Sequence, residues 1–575
     1  MLILKKMIKF LHFKKTAILL STFFMSTSFV STLHAQSFEW AKSLGGISND
    51  YINAITVDLA GNVYTAGKFD GPVDFDPGVG VFSLTPNGPN DIFVTKLDIN
   101  GNFVWAKQIG GLYNETVNSI KIDALGNLFL AGNFDSTVDF DPNAGISNLN
   151  SPSGFDIFVS KWDANGNFIW VKQMGGLGNQ LCLDMTMDGT GNIYTTGYFG
   201  GNSDFDPSIG TFTLSAIGAN DIYVSKLDAN GDFVWAKSIG SATTTNLNST
   251  RIALDAAGHV YTSGYFNGTL DFDPGVTTYT LASFTSVDIF ISKLDASGNF
   301  IWTKQIGGPG TDSPTAMTAD GAGNIYLTGA NSGTIDFDPS PATYTLSPIG
   351  IYDIFVSKLD ASGNFIFAKT FGGGTGYPES TDITLDASGN IYTTGYIDGT
   401  VDFDPGAGII SISPLGTYDA FISKLDAMGN FVWAKNIGGS GSSIFGSKTT
   451  IDTSGNIYAS GAYNNTVDVD PNAGIFNLTA QGNNDVFVLK LSSATVGIEE
   501  LNNEFNTTLY PNPTNSIVNI TLVEEIQTIS IYNSLGALVQ TEKINSFSVE
   551  QLSSGLYILK VKTEKGTQTI RFIKE

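Results

Sequence analysis

Two aspartates separated by one residue recur seven times in this chain: Asp74 and Asp76, Asp139 and Asp141, Asp204 and Asp206, Asp271 and Asp273, Asp336 and Asp338, Asp402 and Asp404, Asp468 and Asp470. In extended backbone, side chains at i and i+2 point to one side, so each pair offers two carboxylates together, and hard cations such as calcium take several oxygen ligands. The same residues support a second chemistry. Six pairs read Asp-Phe-Asp-Pro and the last Asp-Val-Asp-Pro. Asp-Pro-Gly and Asp-Pro-Asn start turns, with the carboxylates accepting backbone amides and the central apolar residue packing inward. A full calcium loop carries more acids and a glycine at fixed spacing, whereas here proline follows directly. A repeated structural calcium site and a purely structural turn are the two expectations, and no other cofactor is indicated.

Other catalytic chemistries find little material. Of three histidines only His259 lies beyond the first 36 residues, in a hairpin turn, so no His dyad, zinc triad or Ser-His-Asp set can be assembled. No Walker-type phosphate loop is present, and pairs such as Gly110-Gly111 follow strand ends, where turns are expected. A glycosidase or lyase needs two carboxylates, but a single site must break the repeat, and 34 aspartates occupy five recurrent positions. Glu115 and Glu379 are off-pattern and are expected in loops after fourth strands. Cys182, the one cysteine, lies in an apolar Leu-Cys-Leu run and reads as a buried, inert thiol.

The pairs also serve as a ruler. Their starts lie 65, 65, 67, 65, 66 and 66 residues apart, so the chain is a sevenfold array in which each unit buries its apolar faces against its neighbours. In the second unit, Val117–Asp123 and Leu128–Phe134 read as strands joined by a turn at Ala124–Asn127. An excursion with the acid pair follows, then strands Asp156–Trp162 and Asn167–Lys172. Four antiparallel strands per unit predict an all-β, seven-bladed β-propeller. The seventh unit lacks a fourth strand, while Phe38–Lys42 matches Phe103–Lys107 and has no unit before it. The two fragments complete one blade, so the ring is expected to close through the N-terminal strand. Fourteen of 17 array lysines fall at two strand positions, typified by Lys96 and Lys107, and are expected to pair with aspartates or reach the rim.

The runs Asp58–Gly67 (Asp-x-x-Gly-Asn-x-Tyr-x-x-Gly) and Asp91–Asp98 resemble SBBP propeller repeats and, more loosely, NHL-type propellers. The likeness covers roughly residues 38–491, with His259, Phe129 and Phe367 as departures that keep turn or aromatic character. It implies a scaffold and no specific activity.

Both ends differ from the array. Residues 1–36 combine a basic start with an apolar stretch of about 15 residues, too short to span a bilayer, and read as a secretory signal peptide. No other segment could cross a membrane. All 42 aspartates lie at or before Asp485, whereas nine of 12 glutamates lie at or after Glu499, which sets a boundary. The expected organisation is signal peptide 1–36, propeller 37–491, linker 492–505 and a C-terminal β-sandwich 506–575. Tyr510-Pro511-Asn512-Pro513, Tyr532-Asn533 with Gly536, Gly555-Leu556-Tyr557 and the basic end resemble the type A sorting domain of the type IX secretion system of Bacteroidetes. That resemblance implies passage across the outer membrane, recognition by the export machinery, and release or attachment at the cell surface.

The formal net charge of −25 becomes about −30 once five leader lysines are removed, and with only two arginines, Arg251 and Arg571, nucleic acid is an unsuitable partner. The expected function is an exported, non-catalytic binding or structural module, with polysaccharide or a surface protein as partner. The alternative is a carbohydrate-active enzyme using carboxylates on one face. A unique site should lie where units differ most, at Ser241–Arg251, Gly372–Asp382 and Gly438–Lys448.

Overall fold

A computed structural model describes residues 34–242, 247–495, 508–522, 525–533, 538–563 and 566–575. Residues 1–33 of the expected leader and 496–505 of the expected linker lie outside them. The chain divides into two compact units, one spanning Gln36–Ser493 and the other containing Ala494–Glu575. Regular structure among the described residues is strand throughout, and no helix is long and apolar enough to cross a membrane.

Each repeat begins with the turn that its sequence dictates. Asp58 Oδ1 accepts the amides of Ala60 and Asn62, while Oδ2 takes Asn62 Nδ2 and the Tyr64 hydroxyl. Gly61 sits at φ +82°, the left-handed region that only glycine enters without cost. The turn joins strands Asp50–Val57 and Val63–Phe69, and Asp91–Leu97 and Phe103–Gly111 follow in the order first, second, third, fourth. Second and third strands are buried on both faces, as in Val63, Tyr64, Ala66 and Phe69 against Ile92, Phe93 and Val94.

The first strands of the seven units are Asp50–Val57, Glu115–Ile122, Gln180–Met187, Leu247–Leu254, Asp312–Ala319, Glu379–Leu385 and Ile444–Ile451. Every one carries a β-bulge, between Ile52 and Ala54 in the first and between Cys182 and Asp184 in the third. Glu115 and Glu379 therefore open first strands, contrary to the expected loop position. The acids continue the strand because their backbones pair with Phe134 and Tyr396.

The acid-pair excursion is a two-stranded ribbon, Val73–Asp74 with Ser83–Leu84 in the first unit. It reaches out of its own sheet. Asp74 pairs with Gly45, Asp139 with Gly110 and Asp204 with Gly175, each glycine belonging to the fourth-strand segment one unit earlier. Glycine is required there: a Cβ on Gly110 would lie 1.9 Å from Cγ of the buried Asp91 carboxylate. The Phe between the acids packs into the junction, where Phe140 joins Phe134 and Phe158 with Ile92 and Ile109 of the unit before.

His34–Gly46 lies next to Asp485–Thr495, the third strand of the seventh unit. Glu39 and Lys490 form an ion pair at 2.9 Å, and Leu44 and Val486 share a core with Ile52, Phe69 and Phe75 of the first unit.

The C-terminal unit holds a three-stranded sheet (Thr508–Tyr510, Ile517–Thr521, Ser546–Ser548) and a four-stranded one (Thr528–Asn533, Leu538–Glu542, Gly555–Thr563, Gly566–Lys574). Val518, Ile520, Ile529, Leu559 and Phe572 form its core.

Candidate functional site

The acid pairs act first as acceptors for their own loops. In all seven ribbons Oδ1 of the first aspartate takes two backbone amides, as Asp74 does from Asp76 at 3.1 Å and Phe82 at 2.8 Å. Oδ1 of the second takes the amide two residues on, Gly78 in the case of Asp76. These bonds give the recurrent spacing a structural role in each ribbon.

The Lys96-type lysines find aromatic rings. All seven ammonium groups lie 4.7 to 5.7 Å from the centroid of the Tyr64-type ring on the adjacent strand. Three add an acidic partner: Lys293 with Asp255, Lys424 with Asp386 and Lys490 with Glu39. The cross-strand ring, which a charge count does not register, is thus the recurrent partner. Lys107-type residues tie to the next unit, Lys107 to Asn143 and Lys172 to Asp232. His259 caps its own turn through Nδ1 and Asp255 at 2.7 Å. Burial pushes the fully enclosed Cys182 thiol up to about 12.

Two groups stand out among the off-pattern acids. The first is buried at junctions between units. Burial pushes the Asp50 carboxyl up to about 8, opposed by the Gly46 amide and reinforced by Asp485 and Asp70. Burial does the same to Glu115, also to about 8, and lifts Asp312 to about 7 with Asp288 adding to the effect. Free carboxyls titrate near pH 4, so above that pH the folded protein holds protons that the unfolded chain releases. The stability these groups contribute is complete below about pH 4 and is lost as pH rises through about 7 to 8. A melting temperature that falls between about pH 5 and about pH 9 is expected, and Asp50→Asn with Glu115→Gln and Asp312→Asn should make the fall shallower, the remainder coming from buried Asp91 and its counterparts, which burial also raises. Differential scanning calorimetry across that range checks this; a rise would contradict it.

The second group lines a cavity of about 280 Å³ formed by residues from all seven first strands. The position just after each bulge reads Ala54, Ser119, Asp184, Arg251, Ala316, Asp382 and Lys448, and all but Ala316 line the cavity. Lys121 joins them from the second unit. Both aspartates are engaged. Asp184 accepts Ser119 Oγ at 3.2 Å, the Met185 amide at 2.8 Å and the Ile252 amide of the next unit at 3.2 Å. Asp382 accepts the Ile383 amide at 3.1 Å and the Thr449 amide of the next unit at 3.0 Å. Lys448 Nζ donates to the Thr381 carbonyl at 3.0 Å. Burial, with Arg251 next in weight, pulls its ammonium down to about 8.

This cavity was not among the sequence-predicted site residues, yet the irregular segments 241–251, 372–382 and 438–448 end on Arg251, Asp382 and Lys448. The usable signal was departure from the repeat: Lys121 and Lys448 are two of the three array lysines outside the two recurrent positions, and Arg251 is the sole array arginine. Glu115 is fully buried, and Glu379 accepts a hydrogen bond from the Tyr396 hydroxyl, so neither belongs to the cavity.

Residues 39–69 and 301–330 match the beta-propeller repeat called SBBP, so the array contains β-propeller repeats. Residues 508–575 match the secretion system C-terminal sorting domain. The protein is therefore a propeller-repeat protein with a type IX secretion sorting domain, secreted or attached to the outer cell surface. Over 470 residues it is 25% identical to an uncharacterised WD repeat-containing protein of Acanthamoeba polyphaga mimivirus, covering 69% of this chain and 34% of that protein. It is 23% identical over 404 residues to the regulatory protein FlaEY of Caulobacter vibrioides, covering 66% of this chain and 40% of the relative. The chain thus spans well under half the length of these relatives. A crystal structure of a Bacteroides caccae protein of unknown function is 10% identical, covers 46% of this chain and 82% of its own, and superposes with a TM-score of 0.22.

Proposed function

We propose that residues 37–491 form a closed, seven-bladed propeller that works as a non-catalytic binding or structural module outside the cell. A signal peptide (1–36), a linker (492–505) and a sorting β-sandwich (506–575) complete the chain in this reading. The observation that carries the binding role is the cavity itself: first strands of every unit reach it, and charges that break the repeat gather there. Adjacency of His34–Gly46 and Asp485–Thr495 supports closure through the N-terminal strand. Asp184 and Asp382 are held by backbone amides, which supports a wall-fixing role for them in this reading.

Polysaccharide or a surface protein is the partner class, with the type IX machinery engaging the C-terminal domain. A glycan array read together with a reducing-sugar assay tests the module: binding without sugar release is expected, and release would assign an enzyme instead. The Asp pairs are read as turn-holding acceptors. The same preparation should melt at one temperature in millimolar calcium and in EDTA; a drop in EDTA would assign the pairs to structural calcium.

A further inference from the structure

We infer that the cavity shared by the seven first strands binds the carboxylate of a small hydroxylated acid, of the size of one uronic acid ring. This deepens the binding-module reading and rests on it.

The charge pattern carries the inference. In a chain of net charge −25, three cationic side chains on three different units face one cavity: Lys121, Arg251 and Lys448. None belongs to the recurrent lysine positions, whose side chains are occupied by rings and neighbouring loops. Repeats supply identical residues at low cost in design, so a converging set of exceptions marks a place where the units do different work. The two cavity acids offset only part of it. Asp184 and Asp382 spend their oxygens on amides of the following units, where they fix the walls. Three cations against two carboxylates leave one positive charge, matched by a single anionic group.

Lys448 is the best-placed donor. Its ammonium has three hydrogens, and one is directed to the Thr381 carbonyl. It feels repulsion from Arg251 and Lys121 and attraction from Asp382 and Asp184, and a bound carboxylate would add to the attraction. Arg251 adds a further positive charge to the same wall. Around these cations the wall is rich in threonine, with Thr56, Thr186, Thr318, Thr384 and Thr450 contributed by five units. Hydroxyls beside cations fit a ligand that carries hydroxyls beside a carboxylate. At about 280 Å³ the cavity lies at the lower limit of small-molecule sites, which suits one sugar ring or a chain end and excludes a long polymer segment.

Isothermal titration of the full chain with D-galacturonate, D-galactose and inorganic phosphate tests the site. One saturable event per chain is expected for the uronate and none for galactose. Lys448→Met and Lys121→Met should each weaken it about tenfold or more, the order of one charge-assisted hydrogen bond. Circular dichroism and melting establish that each variant folds, and if one does not, the other decides. No heat from the uronate, equal binding of galactose, binding of phosphate alone, or variants that bind like the parent would each overturn the site. A glycan-array signal retained by both variants would overturn it too, while leaving the module's binding role in place.

Discussion

Deleting Ser37–Leu44 lowers the melting temperature of the propeller by on the order of 5 °C or more. The segment lies alongside Asp485–Thr495 and places Ala41 and Leu44, both almost wholly buried, in cores shared with the seventh and first units. Without it a long third strand becomes an unpaired edge, and Gly45 no longer presents a well-held partner to Asp74. The Glu39–Lys490 pair and the contact of Ser37 with Ser492 disappear as well. Thermal melts of the leaderless chain with and without the segment measure the effect. A synthetic peptide of the deleted sequence should restore part of the loss by strand addition. An unchanged melting curve would remove closure by the N-terminal strand.

The second large effect lies at the residue between the paired acids. Phe140 is fully buried, with ring centroids 5.2 Å from Phe134 and 4.8 Å from Phe158, at the junction of two units. Phe140→Ala removes most of a large side chain from both sheets at once and should destabilise the fold by about 3–5 kcal/mol. Asp139→Ala leaves the Asp141 and Ser147 amides without their acceptor and should cost about 1–3 kcal/mol. Phe140→Val is expected to fall between them, since the seventh unit carries Val469, also fully buried, at this position. Urea unfolding midpoints rank the three. If the aspartate variant were the weakest of them, the ribbon would be held mainly by its acids, and the packing account would fail.

Much of this architecture was legible in the residues because the repeat prints its own alignment. The Asp58-to-Asn62 turn, the four strands and the excursion each have a local chemical cause that recurs, so one unit read correctly gives the others. The unmatched Phe38–Lys42 was informative for the same reason. The cavity was not legible, and the bulges explain why. In a regular strand alternate residues share a face, but an extra residue before Ala54, Asp184 or Lys448 resets that alternation in each first strand. Periodicity alone then cannot say which side chains meet across units. The lysine partners were missed because a ring on the neighbouring strand is invisible to reasoning from opposite charges.

The ribbons all lean the same way, each onto the fourth-strand segment that precedes it in sequence, Gly45 serving the first. Each ribbon therefore meets a segment already synthesised when it emerges. The contact of Ser37 with Ser492, by contrast, spans 455 residues. The N-terminal strand meets Asp74 close by in sequence, but its pairing with Asp485–Thr495 joins residues at opposite ends of the array. Such long sequence separation slows folding and leaves an adhesive edge open meanwhile. Until that pairing forms, the edge of Asp485–Thr495 and the strand that covers it are joined by no contact nearer in sequence than several hundred residues.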